Sequence, residues 1–193
     1  GLGDVYKRQV QIAANGVANS LDSMGCIVGQ AMNLAMITVI GRCVGAGDSG
    51  QVRHYTKKLL KITYVCTFVV NSIILLCLPW ILKCYGLSTE TTQLSYILVM
   101  IHNGMAMFLW PASFVLPNML RACNDVRFTM VLSIFSMFMF RIGFSYIIGV
   151  NMGYGAIGVW IAMVLDWIFR VICFVSRYLS GHWLKTAGLK DNR

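Results

Sequence analysis

The chain has 193 residues, 58% hydrophobic and only 12% charged, with a formal net charge of +9 and a mean hydropathy of +0.69. Soluble domains carry about 25% charged residues, and here the charges cluster between long apolar stretches, which excludes an ordinary soluble fold. The basic surplus sits beside those stretches, so it reads as a membrane-orientation signal and excludes nucleic acid as the partner.

A bilayer core about 30 Å thick is crossed by about 20 apolar residues in a helix. Five stretches qualify, over about 12–40, 59–82, 93–117, 128–150 and 154–179. They are too long for barrel strands, so the expected fold class is an all-α membrane protein with about five transmembrane helices. Basic connectors alternate with poor ones. Arg42, Arg53, Lys57, Lys58 and Lys61 follow span one, Lys83 alone follows span two, and Arg121 and Arg127 follow span three. No Lys or Arg separates spans four and five, and Arg177, Lys185, Lys190 and Arg193 follow span five. The positive-inside rule places the connectors after spans one, three and five in the cytoplasm. Span one then enters from outside, and residues 186–193 form a cytoplasmic tail.

Span one carries Gln11, Asn15, Asn19, Asp22, Gln30 and Asn33. At 100° per residue these six fall on one stripe about 100° wide. Such a stripe is costly against lipid and is expected to face a bundle interior or a water-filled cavity. Interhelical hydrogen bonding is the alternative use of the same residues. Asp22, the lone acid of the stripe, is the candidate for contact with a cation. Asn15, Asn19, Asp22, Gln30 and Asn33 are therefore substrate or ion cavity candidates.

"GAGDSG", residues 45–50, matches G-x-G-x-x-G, but a dinucleotide site needs a strand before it. A membrane helix precedes it here. Gly45 and Gly47 are expected to end span one, with Asp48 and Gln51 forming a capping box for an amphipathic cytoplasmic stretch. Span three contains "IHNGMAMFLWPASFVLP", in which Pro111 and Pro117 are expected to interrupt the helix. His102, Trp110 and Ser113 lie near one face. Histidine as a residue type can titrate near neutral pH, although a lone membrane histidine more often serves as a hydrogen-bonded packing residue. Broken helices often line transport sites, so His102 and Trp110 join the cavity candidates.

Arg141 falls near the middle of span four and Asp166 near the middle of span five, with Arg170 four residues further on the same face. Antiparallel neighbours would bring Arg141 and Asp166 to similar depth. This intramembrane charge network is either a structural ion pair or a proton-relay or gating element. Cys26, Cys43, Cys66, Cys77, Cys84, Cys123 and Cys173 are scattered singly. Their spacing implies no metal site, no cofactor and no disulfide framework. No catalytic set is recognisable, so an enzyme is not expected.

"VGAGDSGQVRHYTKK", "SFVLPNMLRACNDVRFTM" and "GAIGVWIAMVLDWIFRVICFVSRYLSGHW" together resemble the second half of a MATE-type multidrug and toxin extrusion transporter, over about residues 10–185. The likeness is nearest to bacterial members. It implies twelve helices in two six-helix lobes, both termini cytoplasmic, in the bacterial plasma (inner) membrane. The lobes would rock to export small organic, often cationic, compounds in exchange for Na⁺ or H⁺. The five spans correspond to helices eight to twelve, so the partner of this segment would be the missing N-terminal lobe of the same chain. Some members place a cation-binding acid on the seventh helix and another on the tenth. The seventh is absent here, and residues 93–117, matching the tenth, hold no Asp or Glu. No cation site is carried over, and the coupling ion is open. A lipid-linked oligosaccharide flippase of related architecture, or a non-transporting scaffold or subunit, are the alternatives.

The head "GLGDVYKRQ", residues 1–9, is expected to be a sequencing-adapter artefact. "DVYKRQ" is what GAT GTG TAT AAG AGA CAG encodes, which resembles the end of a transposon adapter used in library preparation. The missing initiator Met and the outward-starting first helix agree with that expectation. Residues 10–185 then form a transporter lobe lacking its first helix.

Overall fold

Helices account for nearly all of the computed structural model, which describes residues 1–191 and among them contains no strand. The last two positions of the expected tail, Arg193 included, lie outside the described residues. Five helical segments are long and apolar enough to cross a membrane: Ile27–Gly45, Ser49–Cys84, Thr89–Ala122, Val126–Asn151 and Ala156–Leu179. The chain is thus an all-α, multi-pass membrane protein, as its hydropathy implies.

The elements run α1 (Leu2–Gly25), α2 (Ile27–Gly45), α3 (Ser49–Cys84), α4 (Thr89–Trp110), α5 (Leu116–Ala122), α6 (Val126–Ser136), α7 (Ala156–Leu179) and α8 (His182–Ala187). Wide π-type turns fill Pro111–Val115 between α4 and α5, and Met137–Phe144 and Ile147–Asn151 after α6. Residues 2–9 are helical and run on into the rest of α1. Pro111 interrupts the third span as expected, since its ring removes a donor and crowds the preceding turn. Pro117 sits in the first turn of α5, where a missing N–H costs little.

Two boundaries differ from the sequence reading. The first span is not one helix but two, parted at Cys26. The basic stretch Arg53–Lys61 is not a separate cytoplasmic segment. It forms the opening turns of the 36-residue α3, because no proline lies between residue 49 and the apolar span. Asp48 caps that helix by accepting from the Gln51 N–H at 3.1 Å. Gly47 turns the chain before it with φ +72.

The break at Cys26 is held by two asparagines. The Asn103 amide donates to Leu21 O at 3.4 Å and to Asn71 Oδ1 at 2.8 Å. The Asn71 amide donates to Gly25 O at 3.3 Å and to Thr67 O at 2.9 Å. Both asparagines are buried. Gly25 is needed at the crossing, because a Cβ there would collide with the Asn71 amide. Along its length α3 also buries Thr56, Thr63 and Thr67. Thr56 and Thr63 turn their hydroxyls onto carbonyls one helical turn back. Small polar residues of this kind let membrane helices approach closely.

At one end of the bundle the three basic connectors converge. Arg177 at the end of α7 donates to Asp125 in the third connector at 2.7 Å, and its guanidinium lies 4.4 Å from the Phe128 ring centre. Arg53 lies 5.5 Å from the Trp183 ring centre in α8. Between α5 and α6, burial and then the Asp125 carboxylate push the Cys123 thiol up to about 12. That thiol stays protonated and unreactive at neutral pH.

Asn103→Ala removes the clasp across α1, α3 and α4. It is expected to lower the stability of the protein in detergent by about 1–2 kcal/mol, seen as a lower melting temperature. An unchanged melting temperature would show that the clasp carries no stability.

Candidate functional site

A cavity of about 380 Å³ opens between α1, α2, α4 and α7. Asn19 and Asp22 come from α1, Gln30 and Asn33 from α2, and His102 and Trp110 from α4. Arg141 reaches it from the π-type segment of the fourth span. Phe114, Met163 and Trp167 complete the wall. The helical periodicity of the first span explains this gathering, since the stripe continues in register through the break at Cys26. There the Cys26 N–H still donates to Asp22 O, and the Gln30 N–H to Cys26 O, each at 3.0 Å.

Two residues of the stripe lie elsewhere. Asn15 accepts from the Trp160 indole N–H at 2.7 Å. With Gln11 it lines a separate groove beside Gly149 and Gly155. Ser113 also turns away, its hydroxyl donating to Trp167 O at 3.0 Å. Asn33 accepts from the Asn118 amide at 2.9 Å, and Asn118 in turn accepts from Arg121.

Asp22 and His102, separate candidates in the sequence, form a pair. His102 Nδ1 lies 2.9 Å from Asp22 Oδ1. The spacing is that of an ion pair, but the ring lacks the in-line geometry of a hydrogen bond. His102 is 2% exposed and Asp22 28% exposed, so the carboxylate presents to the cavity and the imidazole backs it. Two indoles hold the imidazole edge-on, with ring centres 4.8 Å away at Trp160 and 4.6 Å away at Trp167. Cys26 also donates its S–H to the Asp22 carboxylate at 3.3 Å. The Trp167 indole N–H is buried with no hydrogen-bond partner among the described residues.

A second acid is arranged differently. Asp166 is 0% exposed and receives Arg141 Nε at 3.2 Å and Arg170 Nε at 3.1 Å. Ser136 donates its hydroxyl to the same carboxylate. Arg170 also donates to the Ser133 hydroxyl and carbonyl at 3.3 and 3.2 Å, and lies 5.2 Å from the Phe114 ring centre. Arg141, with its side chain 39% exposed, bridges this closed cluster to the open cavity. Two cations around one anion leave the cluster with a single positive charge.

Sequence reasoning missed Phe114, Met163 and Trp167, whose apolar character is indistinguishable from that of lipid-facing residues. It also missed Ser133, Ser136 and the Asn71–Asn103 clasp. Gly25, a residue that weakens a helix interior, was the available signal for the clasp.

Among the described residues, five membrane-length helical segments, four of which help to line an ionisable cavity, define a multi-pass membrane protein. The model of the MatE family matches residues 5–147, and the chain belongs to this family. It is similar to the probable multidrug resistance protein NorM of Thermotoga maritima. Identity there is 22% over 181 residues, covering 94% of this chain and 39% of that protein. It is also similar to the uncharacterized transporter YisQ of Bacillus subtilis, 30% identical over 71 residues, which are 37% of this chain and 16% of that protein. The chain therefore matches well under half the length of these relatives. No solved structure matches it.

Asp166→Asn leaves Arg141 and Arg170 without their anion. Removing one partner of a buried charge cluster costs about 3–5 kcal/mol. The variant is expected to melt well below the wild type in detergent, and equal melting temperatures would contradict the role given to the cluster.

Proposed function

We propose that this chain is part of the C-terminal lobe of a cation-coupled antiporter. The whole protein exports small organic, often cationic, compounds in exchange for Na⁺ or H⁺ by alternating access. The observation that carries the reading is the Asp22 carboxylate, backed by His102 and open to a cavity walled by indole, phenyl and amide side chains. A single accessible anion in a membrane cavity is a site for which a substrate cation and a coupling cation compete. Trp110, Trp167 and Phe114 offer the aromatic faces that attract organic cations, an interaction worth about 2 kcal/mol when desolvated. Asn19, Gln30 and Asn33 supply hydrogen-bonding groups that suit chemically varied ligands.

Occupancy of Asp22 by the coupling ion would cancel the charge that holds the substrate, and so release it. The paired Asp166 is suited to a structural role, since its charge is already met by two arginines. Its tie to Arg141 would carry a change in the cavity into the fourth and fifth spans. Export needs the other lobe as well, so the segment by itself is not expected to transport. The basic ends of the spans support a C-terminus on the cytoplasmic side of a bacterial inner membrane. The name of the Thermotoga maritima relative supports the multidrug class of substrate. A flippase for pyrophosphate-linked sugars would need free cavity cations, and both Arg141 and Arg170 are engaged by Asp166.

In the full-length protein, Asp22→Asn keeps the shape of the side chain and removes its charge. Export of a cationic dye from cells is expected to fall at least about tenfold, in line with the loss of one charge-assisted contact. An unchanged export rate would overturn the assignment.

A further inference from the structure

A second site lies at the basic end of the bundle, away from the cavity. Arg53 and Lys57 stand four residues apart on α3 and so share a face. Opposite them the chain leaves α7 at Leu179 and turns into α8 through Gly181, which has φ +71. These residues, with Tyr178 and Trp183, enclose a cleft of about 260 Å³. Its far wall is fixed. Trp183 is buried, its ring stacks on Tyr178 with centres 6.2 Å apart, and its N–H donates to Tyr178 O at 3.1 Å. Arg53 is held over that indole. In this structure Arg53 also donates to the Asp191 carboxylate of the tail at 2.8 Å. Arg53, one wall of the cleft, thus already receives one anionic oxygen from the chain itself.

We propose that this cleft binds the phosphate headgroup of an anionic phospholipid, and that the Asp191 carboxylate competes with it for Arg53. The charge balance favours this, since Arg53 and Lys57 bring two positive charges and Asp191 brings one negative. Position favours it as well. The cleft lies where a membrane span ends, and Tyr and Trp concentrate at that depth. Basic pockets beside span ends are suited to acidic lipid headgroups. Leu179, exposed in the same wall, offers an apolar contact to the acyl chains that free phosphate would not use. The inference is independent of the transport reading, because its test reads binding alone.

The test is native mass spectrometry of the full-length protein in detergent, titrated with phosphatidylglycerol, phosphatidylcholine or inorganic phosphate. Phosphatidylglycerol is expected to bind in preference to the other two. Lys57→Gln, at an exposed position, is expected to weaken that binding about fivefold, the effect of one basic residue at a membrane surface. Asp191→Asn is expected to tighten it. Equal binding of the two lipids, or no effect of Lys57→Gln, would overturn the site. Equal binding of inorganic phosphate would overturn the lipid assignment, and no tightening in Asp191→Asn would overturn the competition.

Discussion

The carboxylate of Asp166 sits in the middle of a membrane span with no exposed surface, a position where an acid side chain is costly unless cations pair with it. Arg170 is supplied from one turn along α7 and Arg141 from the neighbouring span. Ser136 adds its hydroxyl, and Ser133 holds Arg170 in turn. That arrangement fixes how the fourth and fifth spans must pack, because a slip along either helix would leave a charge in hydrocarbon. It also brings Arg141 and Trp167 to the rim of the central cavity.

The two intramembrane acids have opposite settings. Asp166 is enclosed and met by two arginines. Asp22 has one imidazole behind it and open space in front. Desolvation is severe at the first and partial at the second, so the first is neutralised within the protein while the second faces the cavity. Between them lie the aromatic residues of α4 and α7, with His102 wedged against Trp160 and Trp167. The Asn71–Asn103 clasp serves the same end. It fixes the break in the first span that lies between Asp22 and Gln30, and both residues still reach the same cavity.

Much of this was legible in the sequence because the membrane allows few solutions. Length and hydropathy alone gave five spans, and a helical period of 3.6 placed Asn19, Asp22, Gln30 and Asn33 on one side. The Asp166–Arg170 spacing was readable from i, i+4 geometry, and the Arg141 partnership from equal depth. The Asp22–His102 pair was not readable, since it depends on the register between two helices that periodicity within one helix does not set. Serines 133 and 136 were hidden because a serine in a span commonly bonds its own helix. The split at Cys26 was hidden because no proline marks it. The capping role of Asp48 was readable, but the unbroken run of Arg53–Lys61 into the second span was missed because charge was read as a sign of a connector.

The central claim is that the stripe on the first two helices faces an aqueous, substrate-binding cavity. The most direct measurement is thiol labelling of Asn19→Cys and Gln30→Cys in the full-length protein, in a background lacking the exposed Cys77 and Cys84. Both positions are expected to react with a water-soluble, membrane-impermeant reagent, and a transported cationic dye is expected to slow that reaction. Failure of both to react, with Asn19 and Gln30 sealed by a partner helix or by lipid, would contradict the account and point to a scaffold or subunit role.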